Sequence, residues 1–144
     1  MKYLKFYKLF ENFYIEDFIN ELKEISEMYL AYLLDDNNIE VGVYEYQFID
    51  ECIVIEVYSV DDKNIKWDKL KNHLIPFVEI INKKYKLVPE NTDLDDEQVL
   101  DDEQVVLLWD SNSETTPFTI EELKSHPIKE ASGMSIYVKY NNEI

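Results

Sequence analysis

Glu40 to Val60, EVGVYEYQFIDECIVIEVYSV, is the stretch that sets the fold class. It is rich in Val, Ile and Tyr, and the break at Ile49-Asp50-Glu51 divides it into two short runs, as in a β-hairpin. In the second run Ile53, Ile55 and Val57 alternate with Cys52, Val54 and Tyr58. Both faces are largely apolar, which is the signature of a central strand covered on each side. Two strands this close in sequence pair antiparallel.

Helices flank the hairpin. From Phe13 to Leu34 apolar residues fall at Tyr14, Phe18, Leu22, Ile25, Tyr29 and Leu33, spaced by three and four, so they share one helix face. Asp17, Glu21, Glu24 and Glu27 lie off that face with only Lys23 among them, and DDNN (Asp35 to Asn38) ends the helix. Before it, Tyr3, Phe6, Tyr7 and Phe10 suit a helical turn better than a strand. Beyond the hairpin Trp67, Leu70, Leu74, Phe77 and Ile81 predict a second helix to about Tyr85. Pro76 inside it removes a backbone donor and predicts a kink or two abutting helices.

The remaining pattern is shorter. Val105 to Trp109 and Met134 to Tyr140 read as strands, the latter alternating Met134, Ile136 and Val138 with Ser135, Tyr137 and Lys139. Thr119-Ile-Glu-Glu122 has the form of a capping box and starts a brief helix that Pro127 stops. The whole, residues 1–144, is expected to be a single α+β domain: an antiparallel or mixed sheet of about four strands packed by two long helices. The length and an apolar content of 46% allow one proper core.

Between the second helix and the Val105 strand lies an acidic segment, residues 90–104, that says LDDEQV twice, at Leu94–Val99 and Leu100–Val105. Thr92 is placed to cap a short helix over Asp93 to Leu100. Replication slippage accounts for the duplication, but not for its retention. Asp93, Asp95 and Glu97 alternate as calcium ligands do, yet Gln98 stands where an EF-hand loop needs glycine and Gln104 where it needs glutamate, so no specific calcium site is expected.

Charge is the strongest functional signal. The chain carries 31 acidic and 14 basic residues, a net −17, and every basic residue is lysine. Arginine is the side chain that grips phosphate bidentately and stacks on bases, so its absence under a negative field argues against direct nucleic-acid binding. Anionic membranes are disfavoured for the same reason. The charge is also polarised: residues 11–62 carry −14 and 87–123 carry −12, whereas 63–86 carry +5, with Lys63, Lys66, Lys69, Lys71, Lys83, Lys84 and Lys86. Solubility is one explanation; imitation of a polyanion is the other. Duplex DNA presents about one charge per 1.7 Å, denser than one acidic helix face with neighbours about 5–6 Å apart, so mimicry requires several acidic segments side by side.

The catalytic signatures are weak. Only two glycines, Gly42 and Gly133, are present, so there is no phosphate-cradling loop or nucleophile elbow. Cys52 reads as a small core residue in an apolar strand and His73 as a surface residue among lysines, not as a dyad. His126, before a proline, reads as a helix-end residue. Trp67 and Trp109 read as core. No enzymatic activity and no cofactor or metal are expected.

With one cysteine, no signal-like N-terminus and no long apolar run, a reducing cytoplasm is the expected compartment. Heavy use of Lys, Asn, Ile and Tyr without Arg is what AT-rich coding of a low-GC bacterium or its phage produces. These readings converge on a small acidic inhibitor that blocks the cationic site of a basic, nucleic-acid-handling protein, of the immunity-protein or phage anti-defence type. The expected contacts are Asp95, Asp96, Glu97, Asp101, Asp102 and Glu103, with Asp17, Glu21 and Glu24 as a second patch. The alternative is a structural or assembly protein, of a virion for example, that self-associates through its polarised charge.

Overall fold

The computed structural model describes residues 2–36, 38–47, 51–61, 63–89, 104–112 and 114–139, with side chains of the first helix described over 15–34. The hairpin is its organising unit. Strand β1 (Ile39–Tyr46) pairs antiparallel with β2 (Cys52–Ser59), in register from Ile39↔Ser59 to Tyr46↔Cys52. Glu51 takes up the reversal at a left-handed φ of 56°, the break anticipated at Ile49-Asp50-Glu51.

The far edge of β2 pairs with β8 (Gly133–Lys139), from Cys52↔Lys139 to Tyr58↔Gly133. Beyond β8 come β5 (Val106–Trp109) and then β6 (Thr115–Phe118), and β4 (Lys86–Val88) also pairs with β8. Every pairing is antiparallel. The fold is α+β with a six-stranded sheet, larger than the four strands expected. A two-residue ladder of β3 (Ile65–Lys66) and β7 (Glu130–Ala131) stands apart. The strands not foreseen are short, and β6 holds Pro117, which an outer strand tolerates because one side needs no donor.

β4 and β5 occupy one strand line. Lys86, Leu87 and Val88 face Lys139, Val138 and Tyr137; Val106 then faces Ile136 and Leu107 faces Ser135. The register advances by one position while the chain number jumps from 88 to 106. The pleat also keeps phase: Leu87, Val106 and Leu108 belong to the main core, while Val88, Leu107 and Trp109 pack on the other face. The acidic repeat lies between two halves of what is geometrically a single strand. The helix expected over Asp93 to Leu100 falls outside the described residues.

Helix α1 (Lys2–Asp36) is continuous from the first described residue, as the Tyr3 to Phe10 pattern suggested. Asn38, at φ 51°, turns the chain into β1, a conformation asparagine tolerates. The buried line of α1 is Phe18, Leu22, Ser26, Leu30 and Leu33, which corrects the expected face: Tyr29 is exposed and Leu30 takes its place. Ser26 can join because its hydroxyl donates to the Leu22 carbonyl at 2.7 Å, so no polar group is left unsatisfied.

Helix α2 (Trp67–Lys84) buries Trp67, Leu70, Leu74, Phe77, Val78 and Ile81. It runs through Pro76 as one helix. Pro76 is exposed and so is Asn72, four residues before it, so the carbonyl that loses its partner lies on the wetted side of the helix. α1 and α2 run antiparallel, with Phe18 against Tyr85 (ring centroids 4.8 Å apart) and Tyr32 against His73 (6.0 Å). Helix α3 (Ile120–Ser125) begins with the anticipated box: Thr119 Oγ1 accepts from Glu122 N at 3.0 Å and Glu122 Oε1 accepts from Thr119 N at 2.9 Å.

The three helices cover one face of the sheet, with Ile53, Ile55, Val57, Met134, Ile136 and Val138 beneath them. β8 departs from its alternating sequence pattern. Ser135 is only 1% exposed and Tyr137 is also buried, because β8 has β2 on one side and the β4/β5 line on the other.

Candidate docking surfaces

Asp17, Glu21 and Glu24 are all exposed on α1. The row continues at helical spacing through Met28 and Tyr32, 74% and 75% exposed, along the flank that meets α2. Glu21 lies 3.9 Å from Lys84 Nζ, so the lysine-rich helix partly neutralises this acidic row. Both side chains are about half exposed, and such a pair contributes little to stability. Its effect is to place opposite charges next to each other.

The lysines counted in the sequence lie at the two ends of α2. Lys63, Lys66, Lys69, Lys71, Lys83, Lys84 and Lys86 are all exposed, on α2 and the segments that flank it. The carboxylates Asp95, Asp96, Glu97, Asp101, Asp102 and Glu103 lie outside the described residues, as does the Asp93–Asp95–Glu97 triplet. Their chain neighbours are fixed on the β4/β5 line. That line is three strands from β1, on which α1 packs, or about 15 Å across the sheet.

The two sequence candidates for nucleophilic chemistry are separated by the sheet. Cys52 is fully buried on the face away from the helices, and its thiol is pushed up to about 11 by burial, which holds it in the unreactive form at neutral pH. His73 sits on α2, on the opposite side. His126 caps the C-terminus of α3, its ring 5.5 Å from Phe118. Among the described residues no three His, Cys, Asp or Glu side chains are grouped to hold a metal ion, and no helix is long and apolar enough to cross a membrane.

The sheet face that none of the described helices covers is what the sequence reading missed. Period two puts Glu40, Gly42, Tyr44 and Tyr46 of β1 on it, beside Cys52, Val54, Glu56 and Tyr58 of β2 and Ser135 and Tyr137 of β8. Tyr46 and Tyr137 pack ring against ring at 4.7 Å, and with Val88 and Trp109 they cover Cys52, Val54 and Leu107. Trp109 is therefore half-buried on this outer face and is not a member of the main core.

Both glycines lie on the same face, and each lies under an aromatic ring. A Cβ on Gly133 would sit 2.8 Å from the Val57 carbonyl oxygen and 3.1 Å from Trp109 Cε3, so only glycine lets β8 and the indole approach. A Cβ on Gly42 would meet the Tyr44 ring at 3.6 Å and the Tyr58 ring at 3.9 Å. Gly42 faces Glu56 across the ladder, and Tyr58 donates to Glu40 Oε2 at 3.2 Å. Burial pushes the Glu56 carboxyl above its usual value. Two negative neighbours, Glu40 and Glu56, add to burial in raising the Tyr58 phenol. The signal was in the sequence: tyrosines two and four positions after a strand glycine.

Comparison of the chain with protein-family models, with characterised proteins and with solved structures finds no match in any of the three.

Proposed function

We propose that the protein is a small acidic inhibitor that docks on a basic, nucleic-acid-handling protein and blocks its cationic site stoichiometrically, in the manner of an immunity or anti-defence protein. The observation that carries this reading is the net charge of −17 on a chain without arginine, with the carboxylates of α1 held in an exposed row. A field of this size steers a cationic partner and raises its association rate. The contacts assigned are Asp17, Glu21 and Glu24 on α1, with the six carboxylates of the repeat supplying the rest. No catalytic role is assigned to any residue.

The test is capture at low salt from the source cells, elution by a salt step, and assay of the eluted protein for DNA or RNA binding in a gel shift. The captured protein should lose nucleic-acid binding at one equivalent of inhibitor, and the association rate should fall steeply as salt rises. A partner that keeps its nucleic-acid binding in the complex refutes the inhibitor reading. The lysine-bearing α2 beside the acidic row of α1 favours one rival, head-to-tail self-association. Sedimentation over a concentration series decides it, and a monomer throughout is expected.

A further inference from the structure

Among the described residues five large apolar side chains are exposed, and three of them, Met28, Tyr29 and Tyr32, fall within five residues of α1. Met28 and Tyr32 are about three-quarters exposed and lie one turn apart. Single exposed apolar residues are ordinary, whereas a cluster marks a docking surface. This one lies where α1 meets α2. The Tyr32 ring leans on His73, while Ile25 of α1 and Ile80, on the His73 side of α2, are partly buried against the core.

Charge approaches the patch along α1. The row of Met28 and Tyr32 continues towards the start of that helix as Glu24, Glu21 and Asp17, all exposed. Opposite, α2 carries no lysine between Lys71 and Lys83, and Lys84 meets the row at Glu21. A complementary occupant is therefore apolar over Met28 and Tyr32 and cationic over Glu24 to Asp17. The row steps by three and four residues, about 5–6 Å each time, which is also the step along one face of a second helix. A helix flank offers no unpaired backbone groups. An extended segment laid on it would leave its own N–H and C=O groups without partners, whereas a helix satisfies them internally.

We propose that this flank of α1 docks an amphipathic, cationic helix of the basic partner. Apolar side chains of that helix sit against Met28 and Tyr32, and its cations sit on Glu24, Glu21 and Asp17. Met and Tyr are side chains that interface cores favour. The proposal rests on the reading of the chain as a binder of basic proteins and deepens it by supplying an apolar anchor. The carboxylates steer the partner in, and Met28 and Tyr32 hold it.

The experiment is a backbone-amide NMR titration of the full chain at low salt with two leucine–lysine peptides of identical composition. One has its leucines at i, i+3, i+4 and i+7, and the other is scrambled so that no apolar face forms. The patterned peptide should bind about tenfold tighter, with the largest shifts at Glu24, Met28, Tyr32 and His73. Met28→Ser combined with Tyr32→Ser should weaken the patterned peptide about tenfold, the size of one interface hot spot, and leave the scrambled peptide unchanged. Val60→Ser, which removes an exposed apolar side chain just beyond β2, should change neither. Thermal melts establish that each variant is folded.

Equal binding of the two peptides, or patterned binding that the Met28 and Tyr32 substitutions do not weaken, overturns the docked helix but leaves the acidic-binder reading intact. Absence of binding by either peptide at low salt overturns both.

Discussion

Deleting Leu100–Val105 gives the same protein as deleting Leu94–Val99, because both leave TDLDDEQVVLLW. In either product a valine still precedes Val106, so the buried position of Val105 is refilled and the pairing of β5 with β8 starts from an unchanged sequence. The chain must still leave the strand line after Val88 and return one register position later. Shortening that excursion by about a third changes its closure free energy by (3/2)RT times the logarithm of the length ratio, about 0.4 kcal/mol in favour of folding. Three carboxylates are lost as well, which relieves self-repulsion. The variant should therefore melt about 1–2 °C above the parent, measured by circular dichroism at low and physiological salt, with the gain larger at low salt. Excising residues 89–105 entirely and joining Val88 to Val106 keeps the pleat in phase but removes the Val105 contact, a loss of about 2 kcal/mol. A fall of 5 °C or more for the six-residue deletion would show that β4 and β5 are not two halves of one strand line.

The two glycines should respond in opposite ways. Gly133→Ala forces a methyl against the Val57 carbonyl and should cost about 1–3 kcal/mol in urea unfolding, whereas Gly42→Ala meets only ordinary contacts and should be neutral or stabilise by up to about 1 kcal/mol. Thr119→Ala removes half of the capping box on α3 and should cost about 1 kcal/mol in the same assay. Glu56 is held above its usual value near 4.5 in the folded state, so the fold binds its proton more tightly than the unfolded chain does. Its contribution is favourable below that usual value and is lost as pH rises through the raised one. Glu56→Gln should accordingly melt higher than wild type at pH 7, with the difference vanishing as the pH is brought below the ordinary glutamate range.

The hairpin, both long helices and the capping box were legible because each rests on local spacing: alternation over 40–60, threes and fours over 13–34 and 67–81, and Thr119 three residues before Glu122. The helix through Pro76 was not, because the cost of a proline depends on whether the orphaned carbonyl is wetted, a tertiary fact. Tyr29 and Leu30 exchanged roles for a similar reason. Spacing alone cannot tell which of two adjacent apolar residues meets the sheet when a serine with a local bond can fill the line at Ser26. The acidic row on α1 was readable residue by residue, but its approach to Lys84 required knowing that α1 and α2 run antiparallel. The surface around Gly42 was hidden because it comes from register: only when Gly42 is seen opposite Glu56 and Glu40 opposite Tyr58 do four separate letters become one surface.

β8 touches β2, β4 and β5, yet it is made of residues 133–139. On the ribosome the hairpin and two long helices emerge well before it, with their apolar sides facing a gap that nothing synthesised so far can fill. The pairings of β2, β4 and β5 with β8 have to wait for that last strand, and a chain stopped short of β8 should be a substrate for chaperones and proteases and not a weakened version of the protein.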